Sequence, residues 1–139
     1  MRHLIDPLDL TQQEITQLLD LADRICADPA AYQEVANHKK LATLFYEPST
    51  RTRSSFEIAE KRLSADSLNF GGSSTATVKG ESLVDTVKTL CSYKIDCIVV
   101  RDKHAGAPYI VTQNSPASVI CAGDGKHNHP TQALLDLYT

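Results

Sequence analysis

Four short runs, three of them largely apolar, alternate with longer segments in which apolar residues recur at helical spacing. The runs lie at residues 41–46, 67–70, 95–100 and 118–121. The run at 95–100 is rich in β-branched side chains, which is typical of a strand covered on both faces. Strands that alternate with helices predict a parallel sheet with right-handed crossovers. We therefore expect one α/β domain over residues 1–139, with a four-stranded parallel sheet in a three-layer α/β/α arrangement.

Capping residues and apolar stripes mark the helices between these runs. Thr11 and Glu14 form a capping box, in which each side chain accepts from the backbone N–H of the other, and this predicts the start of the first helix. Asp28 precedes a proline, so that helix is expected to end there. Further helices are predicted over 54–63, from 81, over 105–113 and from Pro130, with a loop at 71–77 and a turn at 123–125.

Polar segments follow each of the four predicted strands. In parallel α/β sheets, ligands bind outside the carboxyl ends of the strands. The stretch 49–53 places hydroxyls and arginines at a strand-to-helix junction. A helix N-terminus favours a phosphate, and an arginine adds charge-assisted hydrogen bonds. The alternative is a helix cap followed by solvated arginines.

Composition limits the classes of function. Apolar residues make up 42% of the 139-residue chain and charged residues 22%, as in ordinary globular proteins. The net charge of −3 argues against nucleic-acid binding, so an anionic ligand needs a local cluster of cations. We expect no secretory signal and no membrane span.

The cysteines form no C-x-x-C pair, which favours buried free thiols and a reducing cytoplasm over zinc or disulfides. They are Cys26, Cys91, Cys97 and Cys121.

Residues 45–57 read Phe-Tyr-Glu-Pro-Ser-Thr-Arg-Thr-Arg-Ser-Ser-Phe-Glu and resemble the carbamoyl-phosphate motif of the aspartate and ornithine carbamoyltransferases. Three further segments agree in order: 78–83 with a mobile loop, 99–101 with the strand that carries a catalytic arginine, and 122–132 with a catalytic histidine segment. The resemblance implies strand order 2-1-3-4 and a first domain that binds carbamoyl phosphate. It also implies a second domain that binds the amino acid, which these 139 residues do not contain. Because Thr139 lies inside a helical pattern, we expect a fragment or a truncated protein.

The chemistry of that family is acyl transfer, which needs positioned donors and cations because negative charge grows on the carbonyl oxygen and on the phosphate. Arg101 can bridge the phosphate and the carbonyl oxygen, and His129 can donate to that oxygen as either the neutral ring or the cation. Gln132 can accept from the carbamoyl amine. The residues expected to hold the phosphate are Ser49, Thr50, Arg51 and Thr52. No cofactor or metal is expected.

The resemblance also implies that a loop reaches into the site of a neighbouring subunit in a homotrimer. Lys79 on that loop would contact both carbamoyl phosphate and aspartate, although a lone lysine on such a loop is commonly just solvated. The loop hydroxyl corresponds to Thr75, with Ser74 as the alternative. Arg53 is expected to pair with a carboxylate, and His127 to be a plain surface residue.

The His-Pro-Thr-Gln and Lys-Gly-Glu-Ser stretches resemble the aspartate branch of the family. The expected reaction is therefore transfer of the carbamoyl group to L-aspartate in pyrimidine biosynthesis, with this chain inactive by itself. The alternatives are a carbamoyl-phosphate-binding module that performs no transfer, and an ornithine carbamoyltransferase. Regulatory chains are possible additional partners.

Overall fold

The computed structural model describes residues 2–71 and 82–139 of the chain. Four strands alternate with five α-helices along these residues. The strands are β1 (Lys40–Phe45), β2 (Asp66–Gly71), β3 (Cys97–Asp102) and β4 (Ser118–Asp124). The helices are α1 (Gln12–Ala27), α2 (Thr50–Arg62), α3 (Leu83–Ser92), α4 (Ala107–Asn114) and α5 (Pro130–Tyr138). Short 3-10 helices, Pro7–Asp9 and Pro29–Tyr32, flank α1.

The four strands form one parallel sheet with the order β2-β1-β3-β4. This confirms both the predicted parallel sheet and the strand order that the resemblance implied. β1 lies centrally, and its Leu41 is aligned with Ser67 of β2 and with Cys97 of β3. The segments that follow β1, β3 and β4 therefore meet at one edge of the sheet.

Alternating side chains of the strands supply two apolar layers, one on each face. Ala42, Leu44, Ile98 and Val100 pack with the buried stripes of α3 and α4. On the opposite face, a smaller cluster of Phe45, Val99 and Ala122 packs against Phe56 of α2. This arrangement confirms helices on both faces, and it places α2 on the side of the sheet from which Phe45 and Val99 project.

Some element boundaries differ from the predicted ones. α2 begins at Thr50, four residues before the predicted start, because Ser49 already occupies the N-cap position while the apolar stripe of the helix starts only near Phe56. α3 begins at Leu83 after the cap Ser82, whose hydroxyl accepts from Asp85 N–H. The predicted loop at 71–77 begins at Gly71, which is instead the last residue of β2. The rest of that loop and the predicted helix start at Glu81 lie outside the described residues.

The predicted turn at 123–125 is wrong at its first two residues, because β4 continues through Asp124. Val100 is aligned with Cys121, and Asp102 with Asp124, so two residues of β4 lie opposite Arg101. This is a β-bulge, in which Gly123 takes a φ of +118°. The extra residue lets β4 stay paired with β3 as far as Asp124, although Gly123 and Gly125 suggest a turn there.

The N-terminal segment covers part of the edge of β4. Leu4 forms an isolated parallel bridge with Ile120, and its N–H donates to the carbonyl of Val119. The predicted capping box of Thr11 and Glu14 at the start of α1 is confirmed, as is the end of that helix before Asp28.

All four cysteines are free. Cys121 is buried, but Cys26 is exposed at the end of α1, so the prediction of buried thiols is wrong for Cys26. Within residues 2–71 and 82–139, no helix is long and apolar enough to span a membrane. The same residues contain no cluster of three or more histidine, cysteine or acidic side chains suited to a metal ion.

Glu60 is a buried carboxylate between α2 and the sheet. It is 2% exposed, and neither of its side-chain oxygens has a hydrogen bond of good geometry in the described part of the chain. Burial raises the pKa of Glu60, the nearby Ser67 hydroxyl offsets part of that rise, and the charge of Glu57 adds to it. Because the folded state favours the protonated acid, the stability that Glu60 contributes is fully present below its ordinary pKa of 4.5 and is lost as the pH rises through the elevated folded pKa.

Glu60→Gln is expected to raise the free energy of unfolding by about 1–3 kcal/mol at pH 8, because the neutral amide removes an unpaired buried charge. The gain should shrink at pH 5.5, where wild-type Glu60 is more fully protonated. Urea unfolding at both pH values measures the effect. Exposed Glu34→Gln is the control and should change stability by less than about 0.5 kcal/mol at either pH. An equal gain for Glu60→Gln at both pH values would contradict the assignment.

Candidate functional site

A cleft of about 900 Å³ opens at the carboxyl edge of the sheet. Three separate parts of the chain meet there: the start of α2, the end of β3 and the start of α5. The lining residues are Ser49, Arg51, Thr52, Ser55, Phe56, Ala59, Arg101, His129, Thr131, Gln132 and Leu135. The cleft thus brings together cations, hydroxyls, an imidazole and an amide from segments up to eighty residues apart in sequence.

The N-terminus of α2 forms one wall of the cleft. Ser49 occupies the N-cap position with extended backbone, but its hydroxyl makes no capping bond and stays available to a ligand. The first turn of the helix leaves the backbone N–H groups of residues 50–52 without intrahelical acceptors. Arg51 is exposed, and its guanidinium has no hydrogen bond or ion pair within the described residues; only its carbonyl is engaged, by the Ser55 hydroxyl at 2.8 Å. These unpaired donors, together with the positive end of the helix dipole, suit a phosphate group.

Arg101 at the end of β3 forms the floor of the cleft. Its Nη1 donates to the carbonyl of Ala122 at 2.9 Å, and its Nη2 lies 3.1 Å from Oε2 of Glu47. Its Nε is buried and has no hydrogen-bond partner in residues 2–71 and 82–139. The side chain is only 19% exposed, so the guanidinium is a largely desolvated cation held by one carboxylate and one carbonyl. Glu47 directly precedes the Pro-Ser-Thr-Arg stretch, yet the sequence reasoning gave it no role.

The bulge in β4 seats this arginine. A methyl group at Gly123 would lie 2.6 Å from Nη1 of Arg101 and 3.4 Å from Cδ2 of His129. Glycine is therefore needed at this position for two reasons, the positive φ and the close approach of two cleft side chains. Sequence reasoning interpreted Gly123 only as a turn residue.

His129 caps α5 with its own ring. Its Nδ1 accepts from the backbone N–H of Gln132 at 3.4 Å and lies 3.3 Å from the Thr131 hydroxyl. Burial lowers the pKa of His129, and the charge of Arg101 lowers it further, while Asp136 acts in the opposite direction. The ring is therefore neutral at pH 7, and because Nδ1 is an acceptor its proton is on Nε2.

This tautomer can be tested directly. Long-range ¹H–¹⁵N spectra of the chain should show a neutral His129 ring protonated at Nε2 at pH 7. The ring should titrate below its ordinary pKa of 6.5. Loss of one signal in His129→Asn assigns the resonance. A ring that titrates above pH 6.5, or one protonated at Nδ1, would contradict the assignment.

Gln132 lies one helical turn beyond His129 and also lines the cleft. Its Nε2 donates to Oδ1 of Asp136 at 2.8 Å. Because the amide nitrogen is engaged, the carbonyl oxygen of Gln132 is the atom left to accept a hydrogen bond from a ligand. Asp136 is a further residue that sequence reasoning did not single out.

The structure gathers most of the predicted site residues. The cleft is lined by Ser49, Arg51, Thr52, Arg101, His129 and Gln132. Thr50 instead lines a neighbouring pocket with Arg53 and Glu57, although its backbone N–H belongs to the first turn of α2. Thr75 and Lys79 lie outside the described residues, so their proposed contacts stay predictions.

Two assignments outside the cleft are also resolved. Arg53 pairs with Glu57, Nε to Oε1 at 2.7 Å, as predicted. His127 is exposed but is not a plain surface residue, because its Nδ1 lies 3.1 Å from Oδ2 of the buried Asp124. Sequence spacing gave no sign of this contact, since it depends on where Asp124 lies at the end of β4.

The chain was compared with protein families and with curated proteins. The family model of the aspartate/ornithine carbamoyltransferase carbamoyl-P binding domain matches residues 2–139. The chain is 49% identical, over its full length, to 45% of an aspartate carbamoyltransferase catalytic subunit from Lachnoclostridium phytofermentans. It is 61% identical over 101 residues, or 73% of the chain, to 32% of the protein of the same name from Endomicrobium trichonymphae.

Solved structures agree with this result. The catalytic subunit of M. jannaschii aspartate transcarbamoylase is 42% identical, with a TM-score of 0.88 over 99% of this chain and 46% of that one. Trypanosoma cruzi aspartate transcarbamoylase in complex with carbamoyl phosphate and aspartate is 32% identical, with a TM-score of 0.90 over 99% and 43% of the two chains. The chain thus spans less than half the length of these relatives.

Proposed function

We propose that this chain, which belongs to the aspartate/ornithine carbamoyltransferase family, binds carbamoyl phosphate and supplies that half of a site in which the carbamoyl group passes to L-aspartate. The products are N-carbamoyl-L-aspartate and phosphate, a step of pyrimidine biosynthesis. The observation that carries the proposal is the single cleft that joins the N-terminus of α2, Arg101 and His129. Relatives named as aspartate carbamoyltransferases support aspartate over ornithine as the acceptor.

The proposed phosphate site is the N-terminal wall of α2. Ser49, Thr52 and the free N–H groups of the first turn can donate to the phosphate oxygens, while Arg51 adds a charge-assisted fork. Capping does not account for Ser49, because its hydroxyl makes no capping bond although the residue is at the N-cap position. The backbone N–H groups of the helix are fixed before the ligand arrives, which lowers the ordering cost of binding.

The proposed carbamoyl site lies against Arg101, His129 and Gln132. The amine of aspartate attacks the carbonyl carbon, the bond from that carbon to the phosphate oxygen breaks, and the departing phosphate takes the proton that the amine loses. Negative charge on the carbonyl oxygen is stabilised by the Nε2–H of His129 and by Arg101. The free carbonyl oxygen of Gln132 can accept from the carbamoyl amine and so orient the group. A neutral His129 is suited to donate without becoming a general acid.

Binding is proposed to include an exchange at Arg101. Its Nη2 faces Glu47 across 3.1 Å, so an incoming carbamoyl phosphate competes with that carboxylate for the guanidinium. Two anions on one cation repel each other, and Glu47 is therefore expected to turn away as the ligand binds.

The remaining assignments follow from the family. We place this chain in a homotrimer in which Thr75 and Lys79 reach the site of a neighbouring subunit, with Lys79 contacting both substrates. The groups that hold the carboxylates of aspartate are proposed to lie in a second domain, and regulatory chains are possible partners. Four free cysteines fit a reducing compartment, which favours the cytoplasm.

Calorimetry and a product assay together test this proposal. The 139-residue chain should bind carbamoyl phosphate by itself, yet form carbamoyl-aspartate only when a separately produced aspartate-binding domain of a relative is added. Proximity of amine and carbonyl supplies several kcal/mol of such a rate, roughly 7–11 at best, and the chain alone lacks that proximity. L-ornithine in place of L-aspartate is the control and should yield no product. Absence of carbamoyl phosphate binding, or transfer by the chain alone, would contradict the proposal.

A further inference from the structure

Asp124 is a fully buried carboxylate just behind the cleft. Its Oδ1 accepts from the backbone N–H of Asn128 at 2.6 Å. Its Oδ2 accepts from the N–H of Gly106 at 3.0 Å and lies 3.1 Å from Nδ1 of His127. Burial by itself raises the pKa of Asp124, but the backbone N–H groups of Gly106 and Asn128, together with His127, outweigh burial, so the pKa is lowered and the side chain is ionised.

These bonds fix the residue that directly precedes His129. Asn128 is bound to Asp124 in both directions, because the N–H of Asp124 donates back to the carbonyl of Asn128 at 3.1 Å. The thiol of Cys121 lies 3.5 Å from that same carbonyl, and the side chain of Asn128 donates to Asp6. The backbone that leads into His129 is therefore held at both its donor and its acceptor.

The same network reaches Arg101. Gly123 directly precedes Asp124, and its N–H donates to Sγ of Cys121 at 3.4 Å. A methyl group on Gly123 would touch both Arg101 and His129, so the position of this backbone sets the space in which both side chains lie. Asp124, Cys121 and Asn128 thus connect the floor of the cleft with the start of α5, and we call them the Asp124 network.

We propose that Asp124 is a positioning residue that, through the Asp124 network, holds His129 and Arg101 in the geometry that the cleft uses. Asp124 does not line the cleft. The consequence for carbamoyl phosphate rests on the proposed function, whereas the consequence for the His129 ring does not.

The test replaces Asp124 with asparagine. In Asp124 each carboxylate oxygen accepts a hydrogen bond from a backbone N–H, that of Gly106 or that of Asn128. An amide has only one acceptor oxygen, so its NH₂ group must face one of these two N–H groups. Asn128 or the start of α4 is then displaced. Two readouts are followed in the 139-residue chain, the ¹⁵N chemical shifts and pKa of the His129 ring and the affinity for carbamoyl phosphate. We expect the pKa of His129 to move up toward 6.5 and the affinity to fall by about tenfold or more.

Asp102→Asn is the matched control. Asp102 is also a nearly buried aspartate at the end of a strand, and it is aligned with Asp124. Its Oδ1 accepts from the backbone N–H of His104 at 2.9 Å and lies 2.7 Å from Nδ1 of the same residue. Among the described residues, the side chain of Asp102 makes no hydrogen bond to Asp124, Cys121 or Asn128. Its replacement should lower the melting temperature but leave the tautomer and pKa of His129 unchanged.

The outcomes separate positioning from stability alone. If Asp124→Asn lowers the melting temperature but leaves the His129 ring unchanged, the proposal is wrong, whatever happens to the ligand. If the ring changes and carbamoyl phosphate does not bind even to the wild type, positioning stands and the proposed function fails. If Asp124→Asn does not fold, Cys121→Ala decides: the loss of only the thiol should shift His129 in the same direction, and an unshifted ring overturns the proposal.

Discussion

Replacing Arg51 with alanine is expected to weaken carbamoyl phosphate binding by roughly 30- to 1,000-fold, which corresponds to about 2–4 kcal/mol. The reason is the availability of its donors. Arg51 lines the cleft at the positive end of α2, and its guanidinium has no partner in residues 2–71 or 82–139. A bound phosphate would therefore gain a bidentate contact without first displacing a protein carboxylate. Calorimetry with the 139-residue chain at fixed low salt measures the change.

Arg53→Ala is the matched control for this experiment. Arg53 has the same charge, lies two residues further along the same helix, and is engaged with Glu57 in an i,i+4 pair. Its loss changes the net charge as the loss of Arg51 does, but it removes no donor from the cleft. Affinity should fall by less than about threefold, the scale of an exposed charge at a distance. Equal losses of affinity in the two variants would show that only net charge affects binding and would contradict the assigned role of Arg51.

The second large effect is expected for Gly123→Ala. The new methyl group would lie 2.6 Å from Nη1 of Arg101, so the guanidinium must leave its place and lose its bond to the carbonyl of Ala122. Carbamoyl phosphate binding should weaken by about 100-fold, since Arg101 and the nearby His129 no longer face the ligand together. The positive φ of Gly123 adds about 1–3 kcal/mol of backbone strain for alanine, measurable by urea unfolding.

Gly106→Ala separates these two causes. Gly106 also has a positive φ, +84°, but a methyl group there meets no atom within 4 Å. The substitution therefore introduces backbone strain without displacing a cleft side chain, and alanine keeps the backbone N–H that donates to Asp124. Stability should fall in both variants, while affinity for carbamoyl phosphate should fall only in Gly123→Ala. Full affinity in a folded Gly123→Ala protein would mean that Arg101 can shift without consequence and that its position is not needed for binding.

Local patterns in the sequence were sufficient to predict most of the elements. The capping box of Thr11 and Glu14 uses groups three residues apart, so the start of α1 follows from neighbouring residues alone. Short apolar runs predicted β1, β3 and β4, because a strand buried between two helical layers needs apolar side chains on both faces. β2 was predicted from the half-polar stretch 67–70, and none of its residues is buried. The strand order came from resemblance to a family, and apolar patterning carries no information about it.

The approximate composition of the site was also predictable. Segments after parallel strands must meet at one edge of the sheet, so Arg51, Arg101 and His129 could be expected near one another. Their residue types indicate an anionic ligand, because hydroxyls, arginines and a helix N-terminus all offer donors. These inferences need only the order of the elements along the chain.

Tertiary structure alone decided how these side chains are held. The pairing of Arg101 with Glu47, the bulge that seats it on Gly123, and the burial of Asp124 all depend on the register between strands far apart in sequence. A register shift of one residue moves a side chain to the opposite face, and nothing in a local pattern encodes that shift. The neutral state of His129 likewise follows from its burial and from where the start of α5 lies relative to Arg101. Sequence therefore determined which chemical groups are present at the edge of the sheet. Packing determined which of them interact, because hydrogen bonds and ion pairs form between groups that are close in space.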